Sequence, residues 1–178
     1  MELVDKIIKG ERAAIAKAIT LVESSKDTDQ QISRQLISEL IKKPGNSIRV
    51  GFSGPPGVGK STFIESFGSY LVSQNYKLGI LAIDPSSQIT GGSILGDKTR
   101  MVEISKNPNT FIRSTPSRGT LGGISMGTRE ASIILDAAGY DFIFIETVGV
   151  GQSEIVASNL VDIFTCLLYT SPSPRDTP

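Results

Sequence analysis

The most informative segment of this chain is Ile48-Arg49-Val50-Gly51-Phe52-Ser53-Gly54-Pro55-Pro56-Gly57-Val58-Gly59-Lys60-Ser61. Its first part, from Ile48 to Phe52, is a short apolar run that predicts a β-strand. A glycine-rich turn follows at once, and the residues from Ser61 to Ser73 have the apolar spacing of a helix. A strand, a glycine loop ending in Gly-Lys-Ser and a helix form the order typical of a phosphate-binding P-loop. A glycine turn can match this pattern by chance, but the flanking strand and helix favour the P-loop.

The glycine loop has the chemistry that a nucleoside triphosphate requires. Glycines let several backbone N–H groups converge on phosphate oxygens, and the N-terminus of the following helix adds positive partial charge. We expect Lys60 to reach the β- and γ-phosphates and to act in catalysis, and Ser61 to place its hydroxyl on Mg²⁺. The residues predicted to bind the nucleotide in this loop are Gly54, Pro55, Pro56, Gly57, Val58, Gly59, Lys60, Ser61 and Thr62.

A second motif, Glu146-Thr147-Val148-Gly149, follows the apolar run from Phe142 to Ile145. A carboxylate at the carboxyl end of a buried strand lies where open α/β sheets bind their ligands. We therefore predict that Glu146 holds Mg²⁺, directly or through water, and serves the catalytic step. Gly149 can donate its N–H to the γ-phosphate. The alternative for Glu146 is an ordinary solvated acid at a strand end.

Further candidates lie in the middle of the chain. Asp84 ends the apolar run from Leu78 to Ile83, and Asp97 lies in the glycine-dense loop from Thr90 to Arg100. Both are predicted to be acidic residues on the Mg²⁺ side of the nucleotide site, although each alone can equally be a surface residue. Loops that order around a γ-phosphate are common in nucleotide switches. Arg100 can neutralise charge in the transition state or form an exposed ion pair.

Gln152 is the candidate for orienting the attacking water. It lies three residues after the predicted switch glycine, Gly149. In familiar small GTPases the corresponding glutamine directly follows that glycine, so the spacing differs here. We count Gln152 among the predicted catalytic residues together with Lys60, Glu146 and Arg100.

Strand and helix patterns alternate from residue 47 onward. Near-continuous apolar strands belong to parallel sheets that are covered on both faces, so the predicted fold class is α/β, a P-loop NTPase with a mostly parallel sheet flanked by helices. Residues 1–46 are predicted to form a helical N-terminal extension packed on the 47–165 GTPase domain, with a partner-binding arm as the alternative. The proline-rich residues 166–178 do not continue a central strand. They are predicted to be a foreign or disordered tail, which leaves the domain incomplete at its C-terminus.

The amino-acid composition excludes several kinds of catalytic site and metal site. The 178 residues include no histidine, which excludes serine–histidine–acid triads and imidazole metal sites. Lys+Arg and Asp+Glu are balanced at 18 each, so the net charge does not attract the protein to nucleic acid or to a membrane. Neither is therefore expected as a partner. A lone Cys166, no signal-peptide pattern and no apolar run of about 20 residues predict a cytoplasmic protein.

Taken together, these motifs resemble those of the MeaB/ArgK-like GTPases, the G-protein chaperones of methylmalonyl-CoA mutase. The similarity covers roughly residues 11–165, and the long middle motif is more specific than the P-loop. The segments that carry the resemblance are 18–23, 54–62, 84–87, 91–101, 118–123 and 146–154.

The resemblance implies hydrolysis of GTP with Mg²⁺, coupled to loading or protecting adenosylcobalamin on methylmalonyl-CoA mutase or a related cobalamin-dependent mutase. It also implies that Lys60, Ser61, Asp84, Asp97 and Glu146 surround the phosphates and Mg²⁺. Full-length relatives are expected to be homodimers. The guanine-reading Asn-Lys-x-Asp motif of the family does not occur in this sequence, so guanine specificity follows from the resemblance alone.

Other functions remain open at this point. A nickel-inserting GTPase needs imidazole or thiolate ligands, which this composition does not supply. A small-molecule kinase, such as one linked to amino-acid transport, requires an acceptor pocket that the sequence does not identify. A third alternative is an inactive fragment that lacks strands needed to complete the sheet.

Overall fold

The computed structural model describes residues 2–84, 101–116, 126–147 and 158–168, without the side chains of residues 84, 102, 116 and 126. Within these ranges, five strands form one sheet in the order β3-β2-β4-β1-β5, and every neighbouring pair is parallel. The strands are β1 (Ile48–Ser53), β2 (Leu78–Asp84), β3 (Thr110–Pro116), β4 (Phe142–Glu146) and β5 (Ile163–Cys166). The predicted α/β class with a parallel sheet is therefore confirmed.

Six helices accompany the sheet in the described part of the chain. They are α1 (Glu2–Ile8), α2 (Arg12–Glu23), α3 (Asp27–Ile41), α4 (Lys60–Ser73), α5 (Val102–Ser105) and α6 (Met126–Ala137). The predicted helices of the N-terminal extension and the predicted helix after the P-loop are present. Helix α5 was not predicted, because four residues are too few to show a helical period.

Alternation along the strands divides the core between the two faces of the sheet. In β4, Ile143 and Ile145 face one apolar cluster, and Phe144 faces the other. This is the two-residue period of a strand that is buried on both sides. Helices α4 and α5 cover the Phe144 face, and α6 covers the opposite face together with α1, α2 and α3.

The N-terminal helices pack directly on the sheet domain. Their buried side chains include Ile7, Ile15, Ile19 and Leu40, which share one apolar cluster with α6 and the sheet. Polar contacts add to this packing, since Arg113 of β3 forms an ion pair with Glu23 of α2. The boundary between a 1–46 extension and a 47–165 domain stays a prediction.

Among the residues that the structure describes, no helix combines the length and the apolar character that a membrane crossing requires.

Candidate functional site

The glycine loop joins the end of β1 to the first residue of α4, as its sequence predicts. Helix α4 begins at Lys60, directly after Gly59, whose φ of 94° is in the left-handed region. Gly54, at the other end of the loop, has a φ of 141°. Residues that carry a Cβ rarely adopt these backbone conformations, so glycine is required for the loop to curl in this way. The loop thus directs the N-terminal end of α4 toward the carboxyl edge of the sheet.

Lys60 lies folded against the loop from which it extends. Its side chain is buried, and its Nζ donates to the carbonyl oxygens of Gly54 at 2.5 Å and Pro55 at 3.0 Å. An ammonium group has three N–H donors, and these two bonds use two of them. The positive charge is therefore held at the base of the loop by main-chain oxygens.

Ser61 and Glu146 meet at the carboxyl edge of the sheet, although 85 residues separate them in the chain. Strands β1 and β4 are adjacent and parallel, and their register pairs Phe52 with Glu146. The Ser61 hydroxyl, in the first turn of α4, donates to Glu146 Oε1 at 3.0 Å. The sequence predicted that both residues lie at this edge, and the structure brings them into direct contact.

These two oxygens fit a magnesium ion. Mg²⁺ binds oxygen ligands at about 2.0–2.1 Å in an octahedron, which places neighbouring ligands about 2.9 Å apart. The observed 3.0 Å between Ser61 Oγ and Glu146 Oε1 matches that spacing. A hydroxyl and a carboxylate beside a phosphate-binding loop are also the donor types that this ion prefers.

Thr147 lies directly after Glu146, and no role was predicted for it. Its side chain is 1% exposed. Both its N–H, at 2.9 Å, and its hydroxyl, at 3.2 Å, donate to the carbonyl oxygen of Phe52. A hydroxyl residue directly after a strand-end acid is a visible sequence signal, but its partner 95 residues away can be identified only in the fold.

Strand β5 lies beside the glycine loop on the edge of the sheet. Leu167, just after β5, donates its N–H to the carbonyl oxygen of Ser53 at 2.8 Å. The Leu167 carbonyl then approaches Gly54 so closely that a side chain at that glycine would collide with it. The loop is therefore packed against backbone on this side.

Several predicted site residues cannot be placed. Asp97, Arg100, Gly149 and Gln152 lie outside the described residues. Asp84 ends β2, opposite Pro116 of β3, but its side chain is outside the description. The loop residues from 54 to 62 and Glu146 are all described, and the structure brings Lys60, Ser61 and Glu146 to one edge of the sheet. Their roles stay predictions.

A family model and several known proteins are similar in sequence to this chain, and they agree with one another. The model of the family described as methylmalonyl-CoA mutase-associated GTPase MeaB matches residues 15–173. A probable GTPase of Mycobacterium tuberculosis is 52% identical over 89% of this chain and 47% of its own length. The mouse mitochondrial methylmalonic aciduria type A homolog is 48% identical over 91% of this chain and 41% of its own length. The GTPase ArgK of Escherichia coli is 48% identical over 93% of this chain and 50% of its own length.

A solved structure shows the same fold. The protein described as LAO/AO transport system kinase superposes with a TM-score of 0.78 at 38% identity, over 94% of this chain and 49% of that one. The chain thus spans about half the length of the relatives it matches. The family match covers most of the chain, and it agrees with the motifs and with the parallel sheet behind the P-loop. This chain therefore belongs to the MeaB family of methylmalonyl-CoA mutase-associated GTPases.

Proposed function

We propose that this chain is the phosphate-binding part of a GTPase that binds GTP with Mg²⁺ and hydrolyses it. The observation that supports this most strongly is the convergence of three groups at one sheet edge. The buried ammonium of Lys60 lies in the glycine loop, and the Ser61 hydroxyl contacts the Glu146 carboxylate at 3.0 Å. Positioning and charge stabilisation of this kind account for most of the catalysis in phosphoryl transfer.

The glycine loop and Lys60 would bind the phosphates. Backbone N–H groups from Gly54 to Ser61 would donate to phosphate oxygens, helped by the positive end of α4. In the described part of the chain, Lys60 uses two of its three N–H donors on the carbonyl oxygens of Gly54 and Pro55. The third would remain for a β- or γ-phosphate oxygen. Because two carbonyls hold the ammonium in place, little side-chain entropy would be lost when the nucleotide binds.

Ser61 and Glu146 would hold Mg²⁺, with Asp84 and Asp97 as further acids on the same side. When bound, the ion would neutralise charge on the phosphate oxygens. Gly149 would donate its N–H to the γ-phosphate, and Gln152 would orient the attacking water. Arg100 would stabilise charge as the γ-phosphoryl group leaves. The assignments of Gly149, Gln152 and Arg100 rest on the motifs, because these residues lie outside the described part of the chain.

The biological role that we propose is assistance to methylmalonyl-CoA mutase or a related cobalamin-dependent mutase. GTP hydrolysis would be coupled to loading or protecting the adenosylcobalamin of that partner. Two findings support this role: the description of the matching family and the name of the mouse relative. We also propose that the whole protein acts as a homodimer.

A small-molecule kinase is the second candidate, because the similar solved structure is described as a transport system kinase. The two functions differ in the phosphate acceptor. A GTPase transfers the γ-phosphoryl group to water and releases inorganic phosphate. A kinase transfers it to an amino acid or another small molecule, which then carries the phosphate.

The test is nucleotide binding and turnover by the 178-residue chain. We expect the chain to bind a fluorescent GTP analogue and to release inorganic phosphate from GTP only when Mg²⁺ is present. Lys60→Ala should weaken GTP binding at least about tenfold, since it removes a charge-assisted contact worth about 1.5–3 kcal/mol. The matched control is Lys77→Ala, which removes an exposed lysine after α4 and should leave binding unchanged.

Each part of this proposal has a result that would overturn it. No binding of the GTP analogue by the wild-type chain, or an equal loss of binding in the two lysine variants, contradicts a GTP site at the glycine loop. A hydrolysis rate of the full-length protein that methylmalonyl-CoA mutase does not change contradicts the chaperone role. Phosphate recovered on an added amino acid instead of in solution supports the kinase.

A further inference from the structure

We propose that Thr147 is a positioning residue whose buried hydroxyl, bonded to the Phe52 carbonyl, holds Glu146 in its place beside Ser61. This inference rests on the proposed function, because it concerns the same Mg²⁺ site. It assigns a role to a side chain that would touch neither the nucleotide nor the ion.

The first observation is the double use of one carbonyl group. The Phe52 oxygen accepts the Thr147 N–H at 2.9 Å and the Thr147 hydroxyl at 3.2 Å. The N–H bond continues the ladder in which Phe52 pairs with Glu146. The hydroxyl bond is additional, and it fixes the rotation of the Thr147 side chain relative to its own backbone. The peptide that leaves Glu146 is therefore held at two points.

The second observation is that Phe52 also contacts the helix that carries Ser61. Phe52 is 1% exposed, and its ring lies 5.8 Å from the ring of Phe63, centroid to centroid. Phe63 is in the first turn of α4, two residues after Ser61. The carbonyl of Phe52 thus holds the Glu146 side of the site, and its ring packs against the Ser61 side. A shift of Thr147 therefore changes the distance between Ser61 Oγ and Glu146 Oε1.

Thr147→Val tests the role of the hydroxyl, because it replaces this group by a methyl group with little change of shape. A methyl carbon takes the place of the oxygen that now lies 3.2 Å from the Phe52 carbonyl oxygen. Carbon–oxygen contacts of this type lie at about 3.3–3.6 Å, so the side chain must move away by a few tenths of an ångström. The Phe52 oxygen keeps its bond to the Thr147 N–H, so the fold is retained. Serine at the same position keeps the hydroxyl and loses only the methyl group.

Thr110 provides the matched control. It is 1% exposed and begins β3, at the end of the sheet opposite the site. Its hydroxyl has no hydrogen-bond partner among the described residues. Thr110→Val therefore makes the same chemical change in a buried strand residue without altering a contact to the site.

The experiment measures how Mg²⁺ strengthens the binding of a fluorescent GDP analogue to the 178-residue chain. Substitutions that disturb the support of a metal ligand commonly lower metal affinity 10–100-fold. We expect Thr147→Val to raise the Mg²⁺ concentration needed for half of the effect about tenfold, while affinity in excess chelator stays within about twofold of wild type. Thr147→Ser should stay within about threefold of wild type, and Thr110→Val should match it.

An unchanged Mg²⁺ requirement in Thr147→Val overturns the inference. So does an equal change in Thr110→Val, or a parallel loss of affinity without Mg²⁺, because either result shows a general effect on folding. If the wild-type chain shows no Mg²⁺-dependent binding, the proposed function fails. The positioning role is then decided by a crystal structure of Thr147→Val. A Ser61–Glu146 distance still at 3.0 Å refutes it, and a wider one supports it.

Discussion

Two glycines of the phosphate-binding loop differ in what surrounds them, and this difference yields a quantitative prediction. Gly54 and Gly59 both have positive φ, at 141° and 94°. A Cβ on Gly59 meets nothing within 4 Å in the described part of the chain. A Cβ on Gly54 collides with the Leu167 carbonyl and lies 3.2 Å from Val58 Cγ1. Alanine at the two positions therefore adds similar backbone strain but very different steric conflict.

The expected losses of stability follow from these surroundings. Gly59→Ala should lower the free energy of unfolding by about 1–2 kcal/mol, the cost of a left-handed backbone for a residue with a side chain. Gly54→Ala carries about 1–3 kcal/mol of strain. It must also displace Leu167, which breaks the 2.8 Å bond from Leu167 N–H to the Ser53 carbonyl and costs about 1 kcal/mol more. We expect about 2–4 kcal/mol in total for Gly54→Ala.

Urea denaturation followed by circular dichroism measures both values on the same chain. A third measurement isolates the steric part, because deleting residues 167–178 removes the carbonyl that obstructs Gly54. In that background the two alanine variants should differ by less than about 1 kcal/mol. Equal losses in the intact chain, or an undiminished difference after the deletion, would refute the reasoning.

Two further predictions concern the rest of the fold. Asp136 is 6% exposed, and its carboxylate accepts bonds from Gly45 N–H and Ser47 N–H, each at 2.9 Å, and from the Ser47 hydroxyl at 2.5 Å. Asp136→Ala should cost about 3–5 kcal/mol in urea denaturation, with a smaller loss for Asp136→Asn; a loss below about 1 kcal/mol contradicts this role. Burial raises the pKa of the Tyr140 phenol, an effect that the nearby Arg12 charge opposes. Because the unfolded chain then releases this proton first, Tyr140 should contribute a loss of stability as the pH rises above 10, and Tyr140→Phe should remove that contribution; identical pH profiles would contradict it.

The local elements and the chemistry of the loop can be predicted from the amino-acid sequence. A glycine loop between an apolar strand and a helix depends on residues that are near one another in the chain, so its pattern is visible without a fold. The strands near Ile48, Leu78 and Phe142 were predicted because apolar runs of that length report burial directly. Placing Glu146 at the same edge as Ser61 needed only the rule that ligands bind at the carboxyl ends of parallel strands.

Which distant groups touch depends on how the strands are arranged in three dimensions. The insertion of β4 between β1 and β2 places Glu146 within 3.0 Å of Ser61. It also puts the Thr147 hydroxyl on the Phe52 carbonyl, 95 residues away. The collision site beside Gly54 likewise exists only because β5 pairs with β1. Contacts between residues that are far apart in the chain depend on the order of the strands in the sheet. The local hydrophobic pattern does not specify that order, because the same apolar strands can pair in several orders and bury similar surface.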